Sequence, residues 1–306
     1  LSNPFQVVFL GSGATLPTSK RALSAQYIVC NNRHLLIDCG EGTQSQMRKY
    51  GVHFQKISHI FISHLHGDHY FGLIGLLSTM NLLGRNTGLT IYGPPPLEEI
   101  LNLQFAAGNS PLCFNLKFVP LISNNKEIIF EDKLLRVSSF PLKHRIQTFG
   151  FLIEETNWEL KLNVLALKEA GIKKEYFRLL KQGNNVELLD GSLLKYKDFT
   201  TPVPPSIKYA YCSDTAPFDE IYSFLEGTSI LYHEATFTNK EKARAKKTYH
   251  STAEQAANVA LKLGVEKLYL GHFSSRYPTC DDHLLEASQV FPTTIIVEDG
   301  MKVTFN

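Results

Sequence analysis

Several things are scarce in this chain, and each scarcity removes a class of protein. No stretch reaches the roughly 18 consecutive apolar residues of a spanning helix, so no membrane partner is expected. The opening Leu1-Ser2-Asn3-Pro4 lacks the basic, apolar and small-residue order of a secretory signal. Position 1 is not methionine, so a trimmed start is expected. Cysteine occurs at positions 30, 39, 113, 212 and 280, an odd number with no Cys-x-x-Cys pair. That pattern excludes a disulfide framework and reads as small buried hydrophobes in a reducing, cytoplasmic compartment. Net charge is nearly absent, +2 from 31 Lys+Arg against 29 Asp+Glu, which neither demands nor excludes nucleic acid. A third glycine is missing after Gly11-Ser12-Gly13, where Leu16-Pro17-Thr18 follows instead of a helix start. A dinucleotide fingerprint is thereby rejected.

What is present is a soluble globular composition, 43% hydrophobic and 20% charged over 306 residues, enough to bury a sizeable core. Within it, His64-Leu65-His66-Gly67-Asp68-His69 brings three imidazoles and a carboxylate together. The apolar, β-branched run Ile57–Ser63 before it reads as a buried strand, and Tyr70–Leu83 after it as a core helix. Imidazole suits zinc, and a carboxylate can join a second ion. His64 and His66 are two apart and face alike in an extended turn, whereas the adjacent Asp68 and His69 face differently. The spacing suggests two metals. Ligand type by itself leaves zinc, manganese and iron open.

Strands are expected at Phe5–Leu10, Leu89–Tyr92, Leu116–Leu121, Glu127–Phe130, Leu134–Phe140, Ile207–Cys212, Lys267–Leu270 and Thr294–Val297. A hairpin is expected about Asn31-Asn32, between Gln26–Val29 and His34–Ile37. Helices are expected at Gln44–Tyr50, Leu97–Ala106 and Thr252–Leu263. From 154 to 205 the texture turns Lys- and Leu-rich, with helical spacing at Leu160–Leu167 and Tyr176–Leu180 and a linker-like Thr201-Pro202-Val203-Pro204-Pro205. This reads as an arm inserted into one domain spanning 1–306, too short to bury much core of its own.

Six residues cannot complete two metal sites. His144, Asp214 and His272 each follow an expected strand, as ligands would in a sandwich with its loops gathered at one edge. With these motifs, and with His233-Glu234-Ala235-Thr236 and Tyr249-His250-Ser251-Thr252, the chain resembles the ribonuclease Z family of the metallo-β-lactamase fold over nearly its whole length. The resemblance implies an α/β architecture, an αββα sandwich. It implies two Zn²⁺ per subunit: His64, His66 and His144 on one ion, Asp68, His69 and His272 on the other, and Asp214 bridging. It further implies a homodimer that cleaves the 3′ trailer from precursor tRNA, leaving a 3′-hydroxyl on the tRNA. Asp68 would orient the attacking water, and His250, oriented by Glu234, would protonate the leaving oxygen.

RNA contacts are expected from Arg276 beside His272, from Lys173 and Lys174 on the arm, and from Arg21. Further basic residues run from Lys240 to Lys247 toward His250. Two departures from the family's pattern stand out. The arm tip, Gly171-Ile172-Lys173-Lys174-Glu175-Tyr176, has no proline. Pro17-Thr18-Ser19-Lys20-Arg21-Ala22 has Ser19 and Ala22 where the family carries lysine and asparagine. A general phosphodiesterase, a thioesterase on the same fold and a non-enzymatic RNA-binding protein are the competing readings. His34, His53, His59 and His283 have no comparable context and read as ordinary residues.

Overall fold

The strand Phe5–Gly11 sets the pattern for the whole molecule, because both of its faces are apolar. Phe5, Val7 and Phe9 point into the space between two sheets, while Val8 and Leu10 point outward beneath helices. Side chains alternate along a strand, so one strand can serve two cores. The computed structural model describes residues 5–156, 160–188, 190–201 and 206–305.

Two seven-stranded sheets result. The first runs Lys302–Phe305, Phe5–Gly11, Ala25–Cys30, Arg33–Ile37, His59–Phe61, Leu89–Gly93 and Leu116–Pro120. The second runs Thr294–Ile296, Lys267–Gly271, Ile230–Glu234, Lys208–Cys212, Thr148–Glu155, Leu135–Leu142 and Glu127–Glu131. Between them lie aromatic contacts such as Phe61 on Phe151, with ring centres 5.4 Å apart, and Phe9 on Tyr269 at 5.6 Å. Each such fully buried ring stabilises the sandwich by about 1.5–3 kcal/mol relative to exposure. Outside the first sheet pack the helices Thr43–Lys49, Leu73–Leu82 and Pro96–Ala107. Outside the second packs Ala253–Leu263, whose Thr252 and Gln255 form a capping box. This is the expected αββα layering.

In each sheet the strands nearest the site are parallel: Arg33–Ile37, His59–Phe61 and Leu89–Gly93 in one, Lys208–Cys212, Ile230–Glu234 and Lys267–Gly271 in the other. Their carboxyl ends open onto one rim, where ligands of α/β sheets bind.

Several expectations hold closely, including the hairpin at Asn31-Asn32, whose two left-handed residues have φ of 48° and 65°. Others shift. The run Ile57–Ser63 pairs as a strand only over His59–Phe61, because the Ser63 amide turns to the Asp38 carboxylate instead of a neighbouring strand. The helix expected over Tyr70–Leu83 is two helices, Gly67–Tyr70 and Leu73–Leu82. The break falls at Gly72, which lies so close to the Gly40 carbonyl that an added Cβ would sit 2.1 Å from its oxygen.

Glu154 and Glu155 still belong to the strand Thr148–Glu155, so the stretch expected to form an arm leaves the sheet later than 154. Within it, Leu167, Leu180, Val186 and Leu194 form a small core. The helix expected from Leu160 starts at Val164, since Lys161–Leu162 pairs with Thr200–Thr201 and Asn163 caps the helix through the Ala166 amide. The expected linker residues Pro202, Val203, Pro204 and Pro205 lie outside the described residues.

Candidate metal centre

Each proposed ligand comes from a chain reversal at the rim. His64 and His66 sit on the turn after His59–Phe61, and Asp68 and His69 lie in the short helix Gly67–Tyr70. His144 follows Leu135–Leu142, Asp214 follows Lys208–Cys212, and His272 follows Lys267–Gly271. His272 has a left-handed backbone, φ 58°, which turns its ring back into the site.

These side chains gather into two sets. His64 Nε2 lies 2.9 Å from His66 Nδ1, and His144 Nε2 lies 3.3 Å from that same nitrogen. His69 Nε2 lies 3.3 Å from His272 Nε2, and Asp68 Oδ2 is 3.6 and 3.5 Å from the two. Asp214 divides its carboxylate between the sets. Its Oδ2 is 3.6 Å from His64 and 3.7 Å from His144, while its Oδ1 is 3.3 Å from His69 and 3.1 Å from His272. Ligand atoms held about 2.0–2.2 Å from one tetrahedral ion stand roughly 3.3–3.6 Å apart, close to these separations. Facing lone pairs in a buried site need a cation between them, and the donors present fit a divalent ion in each set.

The outer nitrogens explain the ring orientations. His69 Nδ1 meets Asp38 Oδ2 at 2.7 Å, His64 Nδ1 meets Ser63 Oγ at 3.0 Å, and His272 Nδ1 meets Thr236 Oγ1 at 2.9 Å. His144 Nδ1 meets the Tyr249 carbonyl at 2.9 Å. Such contacts leave Nε2 free to point inward, and the carboxylate and carbonyl, which only accept, place a proton on Nδ1 of His69 and His144. Burial, more than any neighbour, lowers the pKa values of His64, His66 and His144, so these rings are neutral and their lone pairs are available. Burial would raise the Asp214 pKa, but the imidazoles facing it, His272 and His69 foremost, hold its carboxyl well below the usual range.

On the remaining side stands His250, with Nε2 4.0 Å from Asp214 Oδ2 and Nδ1 2.8 Å from Glu234 Oε1. Glu234 is buried at the end of Ile230–Glu234 and accepts hydrogen bonds from the amides of Thr215, Thr236 and Ser251. Burial would lower the His250 pKa, yet Glu234 together with Asp214 and Asp68 outweighs it and lifts the value to about 9. The ring is held as a cation that can give up a proton.

The expected RNA contacts are placed less uniformly. Lys173 and Lys174 are exposed on the inserted segment. Arg276 lies over Phe237, donates to Ser274 Oγ and faces Glu241 at 3.8 Å. Arg21 turns inward, donating to the Tyr277 carbonyl and the Cys280 sulfur. His59, read as ordinary, bonds Tyr92 Oη, and His283 is packed between Phe273 and Tyr277.

Asp38 was not singled out in the sequence. It is fully buried with a left-handed backbone, φ 55°, and its carboxylate joins Ser63, His69 and the Tyr211 hydroxyl. The signal was a carboxylate at a strand end before Cys39-Gly40, ahead of a helix. Thr236 is marked in sequence only as part of His233-Glu234-Ala235-Thr236, and nothing in sequence marks the Tyr249 carbonyl or the Thr15 amide, which donates to Asp68 Oδ2 at 2.7 Å.

A two-sheet sandwich with paired His/Asp donor sets at one rim defines a metal-dependent hydrolase of the metallo-β-lactamase fold. The fold matches the metallo-β-lactamase fold protein YhfI from Bacillus subtilis, with TM-score 0.69 at 19% identity, covering 99% of this chain and 100% of that one. Human tRNase Z, short form, matches with TM-score 0.70 at 27% identity, covering 97% and 98%. Ribonuclease Z of Parabacteroides distasonis is 39% identical over 300 residues, 98% of this chain and 99% of that protein. The chain belongs to the ribonuclease Z family. Its first half, residues 5–157, also belongs to the family described as anti-Pycsar protein Apyc1. Membership carries dependence on a divalent metal, and the two donor sets are where it fits.

Proposed function

We propose that this chain is an endoribonuclease that cleaves the 3′ trailer from precursor tRNA and leaves a 3′-hydroxyl on the tRNA. It works as a cytoplasmic homodimer with two zinc ions per subunit. The observation that carries this reading is the joining of both donor sets through the two oxygens of Asp214, with the His250–Glu234 pair on the open side. His64, His66, His144 and Asp214 would hold one ion, and Asp68, His69, His272 and Asp214 the other.

When bound, paired divalent ions acidify a water and stabilise charge developing on phosphate oxygens. The protein supplies the rest. Asp68 presents an acceptor that orients the attacking water. Asp38, Ser63 and Thr236 hold the imidazoles in register. His250 gives its Nε2 proton to the leaving ribose oxygen, and Glu234 keeps that ring charged and aimed. Arg276 contacts the phosphate backbone near the site. The inserted segment, one part of a single domain, grips the tRNA with Lys173 and Lys174 far from the chemistry.

Incubation with a precursor tRNA, mapping of product ends and elemental analysis test the reading together. A trailer released with a 5′-phosphate, and about two zinc ions per chain, are expected. Hydrolysis of bis(p-nitrophenyl) phosphate with the precursor left intact would replace it by a general phosphodiesterase.

A further inference from the structure

Beside the loop that delivers His144, lined by Leu142 and Lys143, lies a cavity of about 330 Å³ that the chemistry above does not use. Phe218, Phe224 and Pro141 give it aromatic and apolar walls, and Lys143, Glu220 and Asn124 give it polar edges. The two phenyl rings stand 6.5 Å apart and tilted. Phe224 is seated on Phe140 of the inter-sheet core, and its carbonyl accepts from Lys126 Nζ. One wall is therefore anchored, while Phe218 stays partly exposed.

The cavity is tied to the metal centre by the backbone. Lys143 lines it, and the next residue is His144. The Lys143 amide donates to Thr215 Oγ1, and the Lys143 carbonyl accepts from the Ala216 amide. The loops bearing His144 and Asp214 are thus laced together along one side of the cavity. Phe218 lies four residues beyond Asp214, a span of at most roughly 14 Å.

We propose that this cavity is a nucleobase subsite, which takes a base of the RNA strand close to the scissile phosphate and stacks it on Phe218. The inference rests on the endoribonuclease reading. An unpaired base offers a flat face to an aromatic ring and a hydrogen-bonding edge to groups such as Glu220 and Asn124. Lys143 places a cation where the adjoining phosphate would pass. The mixture suits a nucleotide better than an aliphatic chain, which would leave Glu220, Asn124 and Lys143 without a role.

The test uses precursor tRNAs carrying a single abasic nucleotide, moved through the positions flanking the cleavage point. Wild-type enzyme is expected to lose roughly 5- to 100-fold in kcat/KM at one position. In Phe218→Ala that position should become indifferent, with intact and abasic precursors cleaved alike, and Phe218→Trp should restore the discrimination. Loss of folded protein would slow both precursors by the same factor, so their ratio still reads the subsite in the folded fraction. Abasic tolerance at every position in the wild type, or a ratio unaltered in Phe218→Ala, overturns the subsite. Failure of the wild type to cleave the intact precursor overturns the endoribonuclease reading instead.

Discussion

His250 meets Glu234 through Nδ1 and turns Nε2 toward Asp214. His250→Ala is expected to lower turnover on precursor tRNA by roughly 10²–10⁴-fold while metal content, read by elemental analysis, stays at the wild-type level. The loss should be smaller for p-nitrophenyl esters, whose leaving group needs little protonation; an equal loss on both would mark a structural role. Because Glu234 raises the His250 pKa, the acid is protonated below that pKa and lost above it. RNA cleavage should therefore fall as pH rises through it, and His250→Ala should lack that limb. Asp38 acts one bond further out. Asp38→Asn keeps its shape but weakens the acceptor for His69, so metal affinity should drop about 10–100-fold, measured by chelator competition. Affinity equal to wild type would show that His69 needs no such partner.

Among the elements, the helix break at Gly72 is the most exposed to test. Gly72→Ala drives a methyl into the Gly40 carbonyl, and Cys39, beside it, donates to the His69 carbonyl. The variant should lose about 1–3 kcal/mol of stability in urea denaturation and hold less metal. Unchanged stability would mean that the two loops separate freely. This break also marks what a sequence can reveal. The apolar period over Tyr70–Leu83 is real, but the contact with Gly40 is remote in sequence and leaves no periodic trace. The same applies to Ile230–Glu234 and Thr148–Glu155, strands for which no expectation was formed. Both are buried along nearly their whole length because both faces are covered, and polar residues such as His233 and Thr148 sit among the apolar ones, so the alternation that marks a half-buried strand is missing. The residues of the two donor sets are legible because donor atoms of the right chemistry recur at strand ends. The groups that aim them were not, since a backbone carbonyl such as that of Tyr249 has no sequence signature.

Across the whole molecule, the proposed arm grip and the donor sets lie on separate parts of the chain. Residues 160–201 have their own small core and carry none of the donor sets. Replacing them with a short Gly/Ser linker should leave hydrolysis of small phosphodiesters and zinc content nearly unchanged. Cleavage of precursor tRNA should collapse through weaker binding, and in the intact enzyme that binding should weaken as salt rises. Undiminished tRNA cleavage would move the grip to Lys240–Lys247, and loss of zinc would make the segment structural. The centre itself has a different relation to the molecule. His64, His66, Asp68 and His69 hang from one sheet, whereas His144, Asp214 and His272 hang from the other. An ion held between them would rivet the two halves of the sandwich at the rim, so that the sheets could not part without releasing it. Occupancy then doubles as a thermostat: at a free metal concentration 100 times the dissociation constant, folding should gain about 2.7 kcal/mol per site. Stripping the metal should lower the melting temperature, and the protein should melt later as zinc is titrated back.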